Sequence, residues 1–205
     1  NKSKYVLEFI TEKIFMISAF VAVISLLLII GFVFYKGLMP FATEGYSFID
    51  FIFGTEWLPS SKEFGIGAMI VTSMVATVGA LIIGVPIGIL AAIFIAEICP
   101  KKYARVISTA VELLAGIPSV LYGIFGLAVI VPAIQTVLSL PKGQSLLAVI
   151  IVLAIMMLPT IISLSETSIR AVPKAYKEGS LALGASKIET IFKVIVPAAK
   201  SGILA

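Results

Sequence analysis

Four stretches of this chain contain no charged residue: Ile14–Tyr35, Phe64–Ala96, Leu113–Pro141 and Gly143–Ser165. Each exceeds the roughly 18 apolar residues that cross a hydrocarbon core about 30 Å thick. A buried helix of a soluble domain rarely runs so far without a charge. The charged fraction of the whole chain is 13%, about half that of an average soluble domain. The runs are continuous rather than alternating, so they predict helices and not barrel strands, the only two forms that satisfy every backbone group in lipid. The expected architecture is all-α and polytopic, with spans at about 14–35, 67–95, 107–134 and 146–168.

The sign and placement of the remaining charges give an orientation. Twelve of the fifteen Lys and Arg lie before the first span, between the second and third (Lys101, Lys102, Arg105), or after the fourth. The alternate connections hold only Lys36, Lys62 and Lys142. By the positive-inside rule the N-terminus, the 97–106 turn and the 169–205 segment are expected on the cytoplasmic side. No aromatic-interleaved basic face accompanies the net charge of +4, so a nucleic-acid partner is not expected. The chain has one cysteine, Cys99, no CxxC spacing and no histidine, which leaves no metal site and no neutral-pH base to expect. The first run is too long for a secretory signal core and no A-x-A-like site follows it, so it reads as a retained span.

Two of the runs are interrupted. The 33 uncharged residues ending at Ala96 would make a helix of about 50 Å, so tilt, a break or an interfacial stretch is expected, with a kink and close helix contact at Gly79, Gly84, Pro86 and Gly88. The third span holds Gly116, Pro118, Gly123 and Gly126 within Glu112–Leu127. A helix broken at membrane depth is tolerated where its freed backbone groups face protein or a wet cavity, and Ser119 and Tyr122 are placed to offer hydroxyls there. Proline kinking alone is the plainer alternative. Glu112 is expected about one turn inside the cytoplasmic boundary, either snorkelling or functional. The outer loop 37–66, with Glu44, Asp50, Glu56, Glu63, Trp57 and several Phe and Tyr, suits an aromatic belt at the headgroups or a lid.

After the fourth span the character changes. Glu166 and Arg170 stand at i, i+4, acid before base, either as a structural pair or as part of a gate or substrate path. Pro173 suits the first turn of a short helix and Gly184 its C′ position. Ser186 and Glu189 have the spacing of a capping box. Ile188, Ile191, Phe192 and Ile195 then form one apolar stripe. Two short capped helices flanked by Lys and Arg need a partner for their apolar sides: the membrane surface, the rest of the chain, or a groove on another protein.

The pattern Glu178-Gly179-Ser180-x-x-Leu183-Gly184-Ala185-Ser186, followed by Phe192 and Pro197, resembles the EAA loop of ABC-importer permeases. Gly179 departs from the usual alanine. The stretch Glu112-LLAGIPSVLYGIFG-Leu127 and the WLPSS…FGIG entry to the second span are similar to phosphate permeases, PstC-type first and PstA-type as the rival. The resemblance implies a MetI-like helical bundle with six spans, of which four are present, so the chain 1–205 is expected to be one permease domain cut short at its C-terminus. It implies that Glu178–Ser186, within a cytoplasmic segment of about 170–197, is a coupling helix for a dimeric cytoplasmic ATPase (PstB-like). It also implies a second permease subunit (PstA-like), a periplasmic or lipid-anchored phosphate-binding protein (PstS-like), and a bilayer around the spans. Charged residues ahead of the loop recur in the phosphate members, which draws Glu166 and Arg170 toward the substrate path with Glu112, Ser119 and Tyr122. The chain has no GxxxxGK[ST] loop, so it is expected to bind no cofactor itself, ATP residing on the ATPase.

Other functions fit the residues less well. Permeation of sulfate, molybdate or a phosphonate keeps the same class. An intramembrane enzyme lacks a histidine, paired carboxylates within a span, and a serine–base pair at helical spacing. A passive channel has no use for the capped double helix.

Overall fold

The computed structural model describes residues 2–43 and 45–203, with the side chains of Lys2 and Ser3 excluded. Glu44 of the expected outer loop and the terminal Asn1 and Ala205 lie outside the described residues. The chain divides into two compact units, residues 1–70 and 71–205.

In the first unit, α1 (Lys2–Thr43) is one continuous apolar helix that includes Pro40. It is longer than the 14–35 expected and takes in the first seven residues of the expected outer loop. Residues 45–66 of that loop carry regular structure of their own. It contains α2 (Phe48–Phe53), capped by Ser47, and a two-stranded ribbon of β1 (Trp57–Leu58) and β2 (Glu63–Phe64), with Trp57 opposite Phe64. Its aromatics stack on one another edge to face: Phe41 on Phe51 at 5.2 Å, Tyr46 on Phe64 at 5.3 Å and Trp57 on Phe64 at 5.4 Å. Such pairs contribute about 0.5–1.5 kcal/mol each beyond their burial. They line a cavity of about 820 Å³.

In the second unit, the long hydrophobic helix α3 (Gly67–Ile93) passes through Pro86 without ending. A π-helical turn follows it at Phe94–Ile98. Ala76, Ala80, Gly84, Gly88 and Ala92, spaced every four residues, are all buried. They form a small-residue seam that lets α7 (Leu146–Arg170) approach. A Cβ at Gly79 would lie 2.7 Å from Ile150 Cδ1, and one at Gly84 would lie 3.5 Å from the Ala154 carbonyl oxygen.

The helix expected over 107–134 is instead two elements. Amphipathic α4 (Lys101–Ala115) ends at Gly116, and a new helix starts after Pro118 as α5 (Ser119–Phe125), a π-helical turn (Gly126–Ile130) and α6 (Val131–Val137). Two helix-weakening residues fall together here: Gly116 closes α4 and Pro118 supplies no N–H to continue the ladder. Among the described residues, four helical stretches are long and apolar enough to cross a membrane: Lys4–Thr43, Gly67–Ile98, Ser119–Val137 and Leu146–Arg170.

The chain closes with an elbow. Helix α8 (Lys174–Ala182) turns through Gly184 into α9 (Lys187–Thr190), which widens into a π-helical turn (Ile191–Ile195) and continues as α10 (Val196–Ala198) and α11 (Lys200–Ile203). Pro173 sits at the N-cap of α8, one residue outside the first-turn position expected.

Candidate functional site

The elbow has the two caps its sequence calls for. Gly184 adopts φ +86°, the left-handed C′ conformation. The Ala185 N–H donates to the Ser180 carbonyl at 3.2 Å and the Gly184 N–H to the Leu181 carbonyl at 3.0 Å, the paired bonds of a Schellman motif. At the next helix the Glu189 N–H donates to Ser186 Oγ at 3.2 Å, and the Ser186 N–H donates to Glu189 Oε2 at 3.1 Å. The Ser186 backbone bond, then Lys193 and the Ser186 hydroxyl, hold the Glu189 carboxyl down at about 2 from its usual 4.5. The Ser180 and Thr190 hydroxyls meet at 3.0 Å and tie the two helices together.

The apolar stripe expected on the second helix is divided. Ile191 and Ile195 are 2% exposed and join Ala92, Ile93, Ile169 and Ala199 in a small core, whereas Ile188 and Phe192 are exposed. The π-helical turn adds a residue to the repeat, so positions three apart no longer share one face: Ile188 and Phe192 fall on one side, Ile191 and Ile195 on the other. The chain itself therefore covers half the stripe. At the turn, Leu183 is the most exposed large apolar residue of the elbow at 90%. Glu178, Gly179, Gly184 and Ser186 are exposed as well, and Ser180 and Ala185 are half-buried. The elbow thus presents a rigid, capped turn with apolar and acidic groups at its tip.

Behind the elbow, Glu166 is buried between two donors. The single Ser108 hydroxyl of α4 lies 2.8 and 2.9 Å from its two oxygens, sharing one proton between them and the Ala104 carbonyl at 2.9 Å, and Arg170 Nε donates at 2.8 Å. Arg170 Nη2 also donates to the Ile95 carbonyl at 3.3 Å. That carbonyl has a local reason to be free. In the π-helical turn Cys99 N–H reaches the Phe94 carbonyl, so the next donor in the ladder would be residue 100, a proline without an N–H. The guanidinium substitutes for it.

The helix break uses the same device. Pro118 cannot donate to the Leu114 carbonyl four residues back, and the Tyr122 hydroxyl does so at 2.9 Å, with the Ile117 N–H at 3.1 Å. A cavity of about 380 Å³ forms there, bounded by Leu114, Ile117, Ser119 and Tyr122 on one side and Met156 and Thr160 on the other. The structure thus places Ser119 and Tyr122 beside a cavity, with the tyrosine hydroxyl occupied by the backbone. Glu112 is exposed on α4, outside both clusters.

Three participants escape the sequence reading. Ser108 interrupts the apolar face Ala104–Val111 of α4, which was a usable signal. Glu97, the first charge after 33 uncharged residues, was another; it pairs with Lys177 of α8. Thr160 gave no signal.

Comparison with known proteins follows this geometry. Residues 84–205 match the family model described as "Binding-protein-dependent transport system inner membrane component". The chain is 45% identical over 166 residues to the "Probable ABC transporter permease protein YqgH" of Bacillus subtilis, covering 80% of this chain and 54% of that protein. It is 34% identical to the "Phosphate transport system permease protein PstC" of Mesorhizobium japonicum, covering 95% and 66%. The same-named protein of Haemophilus influenzae is 36% identical, covering 76% and 55%. The chain therefore spans between about half and two thirds of the length of these curated relatives. Among solved structures, a chain of the MetNI methionine ABC transporter in an inward-facing form superposes with a TM-score of 0.51 at 23% identity, covering 68% of this chain and 63% of that one. This likeness shows the MetI-like permease fold. With its family model covering well over half the chain, this multi-pass membrane protein belongs to the inner membrane components of binding-protein-dependent transport systems.

Proposed function

We propose that the complete protein is the membrane subunit of an ATP-driven importer for inorganic phosphate. It pairs with a second permease subunit, receives its solute from a binding protein on the outer face, and is driven by a cytoplasmic ATPase gripping the Glu178–Ser186 elbow. The observation that carries this reading is the elbow itself: capped at both helices, braced by Ser180 and Thr190, and exposing Leu183. A turn built so firmly, with its apolar tip uncovered, suits a handle that must transmit force. The phosphate-transport names of the relatives support the cargo, and the basic segments support a cytoplasmic N-terminus and elbow.

Glu166 fixes the Arg170 fork through one edge, leaving N–H donors of the guanidinium for an anion on the path. In proteoliposomes holding the complete importer, labelled phosphate uptake should require ATP and binding protein, with sulfate failing to compete. Uptake of sulfate or molybdate instead would move the cargo to another oxyanion. On a Cys99→Ser background, Ser61→Cys should label from outside and Lys187→Cys from inside; the reverse pattern would overturn the orientation.

A further inference from the structure

Two cations from the start of the elbow region are fastened to one short turn. Arg170, just before the Pro173 corner, donates to the Ile95 carbonyl. Lys177, inside α8, pairs with Glu97 two residues further along the same π-helical turn. Helix stability does not explain Glu97. An acid at the C-terminal end of a helix opposes the helix dipole, and its side chain is only 12% exposed, where an uncompensated carboxylate is costly. Its partner lies 80 residues away on the elbow. The π-helical turn is also a point of weakness, since its ladder is interrupted by Pro100 and completed by a side chain from α7.

The elbow is internally stiff. Its helices are joined by the Ser180–Thr190 contact, and its second helix is seated on Ala92 and Ile93 through Ile191 and Ile195. A displacement of α8 therefore loads the end of α3 through the Glu97–Lys177 pair.

We propose that Glu97 and Lys177 are positioning residues for energy coupling: their ion pair is the strut through which movement of the elbow reaches α3, whose small-residue seam lies against α7. This inference rests on the proposed coupling to an ATPase. It assigns the transmission to a specific pair that touches neither nucleotide nor solute.

The test uses the complete importer in proteoliposomes and reads solute accumulated per ATP hydrolysed. Glu97→Gln and Lys177→Gln should each lower that ratio about fivefold or more, the range a coupling free energy between sites produces, while the ATPase co-purifies in normal amount. Lys177→Arg should keep the ratio, and the exchange Glu97→Lys with Lys177→Glu should recover most of it. An unchanged ratio in the single variants would overturn the inference. So would loss of the ATPase in step with transport, which makes the pair a structural brace, or an exchange variant no better than the singles. If the unsubstituted assembly hydrolyses ATP but moves no solute, or binds no ATPase, the functional reading fails first and is recognised separately.

Discussion

Prolines set much of the local chemistry of this chain by removing donors. Pro118 leaves the Leu114 carbonyl to the Tyr122 hydroxyl, and Pro100 leaves the Ile95 carbonyl to Arg170. Tyr122→Phe removes the first substitute but leaves the Ile117 N–H on the same carbonyl, so it should destabilise the protein by only about 0.5–1.5 kcal/mol, the net contribution of one hydrogen bond, seen as a lowered unfolding midpoint in detergent micelles. Two glycines of the elbow should respond with opposite signs. A Cβ at Gly179 or at Gly184 meets nothing within 4 Å, so only backbone conformation decides. Gly179→Ala, within α8, should stabilise the helix by about 0.5–1 kcal/mol. Gly184→Ala, forced to φ +86°, should cost about 1–2 kcal/mol. Amide exchange across residues 176–190 reads both. The capping box adds a pH signature. Because Glu189 is held at about 2 rather than 4.5, its contribution is complete above the higher value and is lost as pH falls toward the lower. Exchange protection at Thr190 should therefore persist at neutral pH and fade between those two values.

At the scale of elements, what was legible in the sequence was what depends on local chemistry. The caps at Gly184 and Ser186 are contacts within a few residues, and both form as their spacing requires. The spans followed from uninterrupted apolar length, which needs no tertiary knowledge. The third span was misjudged at its start because apolar length cannot distinguish a bent helix from two helices sharing a run. The break falls at Gly116 and Pro118, while the same spacing at Gly84 and Pro86 stays inside α3. The divided stripe on the second elbow helix had a similar cause, since a π-helical turn shifts the face without changing composition. Glu166 and Arg170 were visible as a pair, but their partners Ser108 and Ile95 lie 58 and 75 residues away, beyond any periodicity argument. The seam between α3, α7 and the 126–130 turn makes its own prediction. Gly126 is buried with Val152 against it, so Gly126→Leu should overpack the contact and cost about 1–3 kcal/mol. Gly123→Leu, with open space around it, should not. Thermal unfolding of the two variants side by side checks this.

At the scale of the whole molecule, the second unit concentrates its charged contacts where α3, α4, α7 and the elbow meet. Ser108, Glu166 and Arg170 join three of these elements, and Glu97 with Lys177 brings in the fourth. Along the length of α3 and α7 the two helices meet through Gly79 on Ile150, Gly84 on Ala154 and Gly88 on Ile161. That division of labour fits a membrane protein whose moving parts slide along a smooth seam and are steered from one end. The claim beneath it is that the elbow is a handle for a separate ATPase. Leu183→Asp alters the exposed tip while leaving both caps and the core residues Ile191 and Ile195 in place. With the complete protein expressed beside its partner subunits, co-purification of the ATPase from the solubilised membrane is the direct measurement. The ATPase should be lost from Leu183→Asp, and from Glu178→Arg, with membrane insertion intact; full recovery of the ATPase with both variants would contradict the account.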